Sequence, residues 1–347
     1  MTIARTSAPP RCGDLPALNL YGHTIAIQHG LEQVARELLV TSAAYREFLD
    51  RADGVLCVAA ATFGIAAPRL RADRTDPGQL AHPLREAELA VAATARSRQD
   101  LLAAAAVVAV ELAAVRLDLT VWEARRGQQA TQLMARALRR CRTATSVDEM
   151  AEMIPGTTAD LGYDRVLFSS VDRGRWIPRT ACTRTDPQEA AMIVAAGHAP
   201  ACRRVDGLLE EEVVRTKSTI LVRDVQGNPR VHAALVAVTG SHSYAAAPVL
   251  FCRRVVGLLH VDRNVEYGTM GEFDRDLIAL LAEGLGLALE RLAVLADMAA
   301  VHAVVADQSA ALVDVLGRLG HEPVPGRPRV RRGGAGAGRR RARLPAR

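Results

Sequence analysis

Two apolar runs joined by a short polar hinge, with a long helical pattern close behind them, constrain the fold of this chain most. The runs are Tyr244–Phe251 and Val255–Val261, and the hinge is Cys252-Arg253-Arg254. Apolar runs of this length with a short polar connection predict an antiparallel β-hairpin. Apolar residues then recur at helical spacing over Gly271–Gly320. We therefore expect a sheet that packs against at least one long helix.

The region before this hairpin alternates between helix and strand signals. Ser146 and Glu149 form a capping box, in which each side chain can bond the other's backbone amide, so a helix begins there. Pro155-Gly156 is expected to disturb that helix. The further predicted elements are a strand at Tyr163–Val171, a strand at Trp176–Thr183, a helix opened by Asp186-Pro187, a helix at Leu208–Thr216 and a strand at Ser218–Val222. This order predicts an α+β domain in which an antiparallel sheet is flanked by helices.

The N-terminal part of the chain is predicted to be all-α. Residues 1–82 are expected to form a leader and a helical segment, with helical periodicity over residues 24–67. The stretch Ala66–Pro83 is rich in Pro, Gly, Asp and Arg and predicts a loop. From there to Thr143 only Gly127 weakens a helix, at a cost of about 1 kcal/mol relative to Ala. A helix over residues 83–143 is long for a globule, so we interpret it as a dimerisation stalk.

The net charge of +6 comes from the C-terminal tail. Glu322–Arg347 holds nine arginines and one glutamate, which leaves 35 basic and 37 acidic side chains in the rest of the chain. The body is therefore near neutral, and we expect no specific nucleic-acid binding by this chain. Residues 321–347 are expected to be a disordered Arg-rich tail.

Cysteine usage and hydropathy predict a cytoplasmic protein without a membrane anchor. No two of the six cysteines have CxxC spacing, and no Cys/His cluster has the spacing of a zinc site. The first residues lack the apolar stretch of a signal peptide. The most apolar run, Leu101–Val110, has ten residues, whereas a transmembrane helix needs about 20.

The order of elements, together with particular residues, resembles a GAF domain over about Thr131–Leu295. The features that carry the resemblance are Tyr163–Val171, Thr219–Val231, Ala247-Pro248, Gly257-Leu258-Leu259 and the helix opening Glu272-Phe273-Asp274-Arg275-Asp276. The details are most similar to GAF modules of actinobacterial LuxR-type regulators. The resemblance implies a six-stranded sheet with a central pocket that binds a small molecule or serves as a dimer-coupled relay. It also implies a helix-turn-helix after a helical linker.

The tail departs from that pattern. A helix-turn-helix needs about 50 residues with apolar periodicity on two helices. The 26 tail residues contain only three large apolar side chains, Val324, Val330 and Leu344. We therefore expect the DNA-binding end to be missing, either because the regulator lost it, for example by a frameshift, or because the tail is a genuine arginine arm.

Four residues are candidates for ligand binding: Trp176, Tyr244, His260 and Asp262. His260 and Asp262 lie two apart on one strand, so their side chains share a face. The alternative interpretations are a polar strand end for this pair and core packing for Trp176 and Tyr244. We expect no metal site, and the sequence identifies no cofactor. His232, His242 and Arg223 flank loops near the sheet, and the two histidines are interpreted as loop residues.

No catalytic residue is predicted. Some GAF-like proteins reduce methionine sulfoxide with cysteines, and here Cys202 beside Arg203-Arg204 is the candidate nucleophile, because adjacent cations lower a thiol pKa. Cys182 is a conceivable partner. A haem or bilin role is disfavoured, because Cys252 lies at the hairpin turn. We expect a protein that is not an enzyme.

The last helix carries a heptad pattern that predicts a coiled coil at residues 296–320. Its seam consists of Val294, Met298, Val301, Val305, Gln308, Leu312, Val315 and Leu319. A homodimer follows from this interpretation, whereas packing on its own domain is the alternative. The functional expectation is a small-molecule sensory module of a transcriptional regulator. The other hypotheses are a ligand-free dimerisation scaffold and a GAF-type thiol redox enzyme.

Overall fold

The computed structural model describes residues 43–64, 78–173, 175–184, 186–198, 207–264 and 268–320. The chain divides into two compact units, Met1–Val294 and Leu295–Arg347. The first unit contains N-terminal helices followed by an α+β domain. In the second unit the described residues are all helical. None of the helices in these ranges is long and apolar enough to cross a membrane.

The described N-terminal helices are α1 (Ala43–Phe63), α2 (Gly78–Ser97) and α3 (Leu102–Cys141). The prediction of one uninterrupted helix over residues 83–143 is therefore wrong. The chain leaves helical geometry at Arg98, with φ −126° and ψ 87°, and a 3-10 turn follows at Gln99–Leu101. This break lets α2 pack along α3, where Arg116 donates to Glu88 at 2.7 Å.

Burial explains why the chain folds back here. The three helices share a core of small and branched apolar side chains, and Leu84, Leu112 and Val115 are fully buried in it. Pro83 lies inside α2, five residues after the helix begins, so the predicted loop does not extend that far. The leader, residues 24–42 and residues 66–77 of the predicted loop lie outside the described residues.

The α+β domain confirms the predicted fold class. Its elements are α4 (Val147–Ala159), β1 (Arg165–Asp172), β2 (Arg175–Thr183), α5 (Pro187–Gly197), α6 (Leu209–Thr216), β3 (Ile220–Val222), α7 (Ala233–Thr239), β4 (Tyr244–Phe251), β5 (Arg254–Asp262) and α8 (Glu272–Gly320). The strands form an antiparallel sheet in the order β2-β1-β5-β4-β3. The family resemblance implied six strands, and the described residues contain five.

The predicted caps are present. Ser146 Oγ accepts from the Glu149 amide at 3.1 Å at the start of α4, and Asp186 Oδ1 accepts from the Gln188 amide at 2.8 Å at the start of α5. Pro155 does not interrupt α4, which continues to Ala159. Helix α7 was not predicted, because its seven residues are too few to show a period.

The two faces of the sheet pack against different helices. Phe168, Ala247 and Leu259 face a core formed with α4, α8 and the second half of α3. The alternate side chains on these strands, such as Leu167 and Leu258, point to the opposite face and contact Ile193 of α5 and further residues of α6 and α7. This second face carries the candidate site, because strand residues two apart share a face.

The predicted hairpin has a two-residue turn. Cys252 and Arg253 have φ values of 46° and 64°, as in the type I′ turns that match the twist of paired strands. The Cys252 amide donates to Glu290 of α8 at 2.8 Å. A Cβ at Gly286 would lie 2.3 Å from the carbonyl oxygen of Leu250, so glycine is required where α8 crosses β4.

The C-terminal part of α8 exposes the seam predicted for a coiled coil. Its apolar members Val294, Met298, Val301, Val305, Leu312 and Val315 are 51–63% exposed within this chain. Apolar residues off the seam, such as Val304 and Leu316, are also exposed. The coiled coil stays a prediction, since its partner would be another chain.

Candidate functional site

A cavity of about 70 Å³ lies between the second face of the sheet and helices α5, α6 and α7. Strand register brings its polar groups together. Asp262 of β5 is paired with Arg165 of β1 on one side and with Tyr244 of β4 on the other, and His260 lies in the next row of the same face. Apolar side chains such as Val231 and Leu235 form most of the remaining wall.

Glu210, the second residue of α6, is the central polar group of the cavity. Its side chain is only 2% exposed. One carboxylate oxygen accepts from the Tyr244 hydroxyl at 2.9 Å and lies 3.2 Å from His260 Nε2. Its other oxygen is buried and has no hydrogen-bond partner among the residues described. Burial raises the pKa of Glu210, but the hydrogen bond and the electrostatic interaction with His260 outweigh this effect. The net pKa of Glu210 is therefore lowered, and the group is an anion at neutral pH.

Two imidazoles flank this carboxylate. His232, which precedes α7, stacks on Trp176 with ring centroids 4.3 Å apart, while His260 meets Trp176 edge-on at 5.9 Å. Burial lowers the pKa of His232 to about 4, so its ring is neutral. His232 Nε2 and His260 Nδ1 are buried without a hydrogen-bond partner in the described part of the chain.

A second buried carboxylate, Asp262, lies at the other side of the cavity. It accepts a hydrogen bond from the Ser241 hydroxyl, and Arg165 Nη1 lies 3.5 Å from its Oδ1. Burial raises the pKa of Asp262 to about 7, against the opposing effects of Ser241 and Arg165. Arg165 is also paired with Glu189 of α5. The guanidinium therefore serves Asp262 and Glu189, and the nearest basic side chain to Glu210 is His260.

The four residues predicted to bind a ligand lie at or beside this cavity. Tyr244, His260 and Asp262 line it, whereas Trp176 is fully buried behind His232. Their role in binding remains a prediction. Of the flanking residues, His232 lines the cavity, while His242 is exposed and bonded to the Gly240 carbonyl. The third, Arg223, is exposed and pairs with Glu272.

The sequence did not point to Glu210, Arg165 or Ser241. Glu210 begins a run of three glutamates, which reads as a solvated helix face. The available signal is its i,i+3 relation to the buried Val213, which places both side chains on the inward face of α6.

The described residues test the metal and thiol hypotheses in part. They contain no group of three or more His, Cys, Asp or Glu side chains arranged to hold a metal ion. Cys202, the candidate nucleophile, lies outside them. Burial raises the pKa of its conceivable partner, Cys182, and the nearby Asp160 adds to this, so that thiol is a weak nucleophile.

Residues 144–290 match the family model described as GAF domain. Similar solved structures include the GAF domain of an Acinetobacter phosphoenolpyruvate-protein phosphotransferase, with 14% identity over 48% of this chain and 97% of that one and a TM-score of 0.37. A methyl-accepting chemotaxis protein has 21% identity over 46% and 98%, with a TM-score of 0.36. The free methionine-R-sulfoxide reductase of Neisseria meningitidis has 18% identity over 48% and 93%, with a TM-score of 0.36. No curated protein matches the chain.

Proposed function

Since residues 144–290 are a GAF domain, a type of domain typical of sensory and signal-transduction modules, we propose that this chain senses a small molecule in the cavity beside Glu210. The observation that carries the proposal is a set of buried polar atoms without partners: one oxygen of Glu210, Nε2 of His232 and Nδ1 of His260. A buried polar group that lacks a hydrogen bond costs about 1–3 kcal/mol. A ligand that supplies these bonds would recover that energy.

The start of α8 connects the site to the proposed output. Arg263 directly follows Asp262 and binds Asp274 through two hydrogen bonds of 2.6 and 3.0 Å. Asp274 also accepts from the Gly271 amide at the beginning of α8, and Arg126 of α3 lies 3.9 Å away. A ligand that shifts the end of β5 would therefore act on both α3 and α8. We infer that this is how binding changes the output of the domain.

We further propose that the output belongs to a cytoplasmic transcriptional regulator of the LuxR-like kind, which acts as a homodimer. The homodimer is supported by the exposed apolar seam on α8, which matches a parallel pair of helices. Ligand binding would change the regulator by favouring one of two dimer states, which requires a different affinity for each.

Native mass spectrometry of the purified chain tests the sensor proposal, because it reports subunit number and any retained small molecule together. Val236→Phe places a ring on the cavity wall, whereas Ala237→Phe, on the exposed side of the same helix, is the matched control. The wild type and the control should retain a ligand mass that Val236→Phe loses. Retention by all three proteins would place the ligand elsewhere and contradict the proposal.

A ligand-free dimerisation scaffold is the second candidate. The small cavity favours it, because about 70 Å³ holds roughly two waters. Under this hypothesis Val236→Phe should stabilise the domain and leave dimerisation unchanged, and no small molecule should be found.

Leu312→Glu tests the dimer seam itself. This residue lies on the predicted seam, whereas Ala310 lies on the outer face of the same heptad pattern. A buried charge at the seam should raise the dimer dissociation constant by at least about tenfold. Sedimentation equilibrium measures this dissociation constant. Equal effects of Leu312→Glu and Ala310→Glu would show that the predicted seam does not hold the dimer together.

A further inference from the structure

We propose that the ligand of this cavity is a small organic cation, such as an amidinium or a primary ammonium, and that Glu210 is its counter-ion. This inference rests on the proposed sensory function and specifies the chemical class that is sensed. It follows from three properties of the cavity: its charge, its hydrogen-bonding atoms and its size.

Carboxylates outnumber guanidinium groups in the cavity. Its described lining contains one guanidinium, that of Arg165, two carboxyl groups, those of Glu210 and Asp262, and the imidazoles of His232 and His260. Arg165 is engaged by Asp262 and by Glu189 on α5, so it does not reach Glu210. The ring of His232 is neutral because it is buried. A cation can therefore pair with the free oxygen of Glu210, whereas an anion would be repelled by the same carboxylate.

The unsatisfied atom of Glu210, the central polar group of the cavity, is an acceptor. The second oxygen of the Glu210 carboxylate can only accept. Nε2 of His260 lies 3.2 Å from the first oxygen and leaves this second one free for a ligand. The Tyr244 hydroxyl already donates to Glu210. A ligand rich in N–H donors completes this arrangement, since ammonium and amidinium groups donate without accepting.

The size of the cavity limits the bound group to a few atoms. A cavity of about 150 Å³ accepts benzene, with its six heavy atoms. The cavity beside Glu210, at about 70 Å³, has room for about three or four. An amidinium or alkylammonium head fits this volume.

Three compounds of the same shape test the charge directly: acetamidinium, acetamide and acetate, which are cationic, neutral and anionic. Each is titrated into the full-length chain labelled with ¹⁵N, into the millimolar range because such small probes bind weakly. The sequence has two tryptophans, which give two indole N–H signals. Trp176 lies against His232 and should shift, whereas Trp122 on α3 packs on Tyr45 and serves as the internal reference.

We expect acetamidinium to shift the Trp176 signal in a saturable manner and acetate to leave it in place. Glu210→Gln keeps the shape of the side chain but removes its charge, and should weaken acetamidinium binding at least about tenfold. Glu211→Gln, at the exposed neighbouring position of α6, should bind like the wild type. If Glu210→Gln does not fold, the ranking of the three compounds on the wild type still decides the question.

The outcomes separate this inference from the sensory proposal. Acetate or acetamide binding as well as acetamidinium would overturn the cation inference and leave a ligand site in the cavity. Absence of a Trp176 shift with acetamidinium would also overturn it. The sensory proposal itself would fail only if, in addition, native mass spectrometry of the wild type found no small molecule.

Discussion

Asp262 should make the stability of the domain fall as the pH rises from about 4 to 7. Its side chain is buried beside the cavity, with the whole residue 5% exposed, and burial raises its pKa from the ordinary 3.8 to about 7. Ser241 and Arg165 oppose this rise without cancelling it. Within this pH range the folded protein keeps a proton that the unfolded chain has lost, so each step in pH favours the unfolded chain.

The magnitude follows from the two pKa values. Each pH unit between them is worth about 1.4 kcal/mol, so the full change approaches about 4 kcal/mol. The stabilising effect is complete below pH 4 and lost above pH 7. In Asp262→Asn the side chain cannot ionise, and this contribution disappears. Relative to the wild type, the variant should therefore become more stable by up to about 4 kcal/mol as the pH rises from 4 to 8.

Urea unfolding followed by tryptophan fluorescence, at half-unit steps between pH 4 and 8, measures this difference. Other ionisable groups are common to both proteins and drop out of the comparison to a first approximation. Asp224→Asn, at an exposed position outside the cavity, is the control and should run parallel to the wild type. If the gap between Asp262→Asn and the wild type is the same at pH 5 and pH 8, the assignment of a raised pKa to this buried carboxyl is refuted.

Two further substitutions test the packing and the charge network around α8. Gly286→Ala should lower the free energy of unfolding by at least about 2 kcal/mol, because the new Cβ would meet the backbone of Leu250. Gly284→Ala is the control and should cost clearly less, because its Cβ meets only the end of a side chain. Equal losses of the two variants in urea unfolding would contradict the contact. Asp274→Asn should lower the free energy of unfolding by about 3–5 kcal/mol, because it leaves the buried Arg263 without its negatively charged partner. A loss below about 1 kcal/mol in urea unfolding would show that water replaces this partner.

The sequence was informative wherever a local rule decided the structure. The hairpin at Tyr244–Asp262 and the helix beginning at Ser146 follow from short-range patterns of alternation and capping, and both are present. The break at Arg98 was missed, because no Gly or Pro marks it. Ser97 and Asp100 beside it favour caps over helix interiors, which is a weak signal. The burial of α2 against α3, a contact between distant residues, decides the interruption.

The candidate site was predicted in part for the same reason. His260 and Asp262 share a strand face, which the period of two reveals. Glu210 reaches the same cavity from a different element, and no local pattern links it to β5. Its neighbours Glu211 and Glu212 are less buried and give the segment a solvated appearance. Its i,i+3 relation to Val213 is a weak local signal, and the packing of α6 on the sheet decides which of the three carboxylates turns inward.

Lys217 is the only lysine in the sequence, and it ends the helix that carries Glu210. Its ammonium reaches the carbonyl of Arg253 in the β4–β5 turn at 2.8 Å while the residue stays exposed. Apart from the α-amino terminus, an amine-reactive dye would therefore have one target in the protein, at the joint between the cavity helix and the hairpin. The molecule thus comes with its own labelling handle, through which any tilt of α6 can be followed as a change in fluorescence without engineering a cysteine.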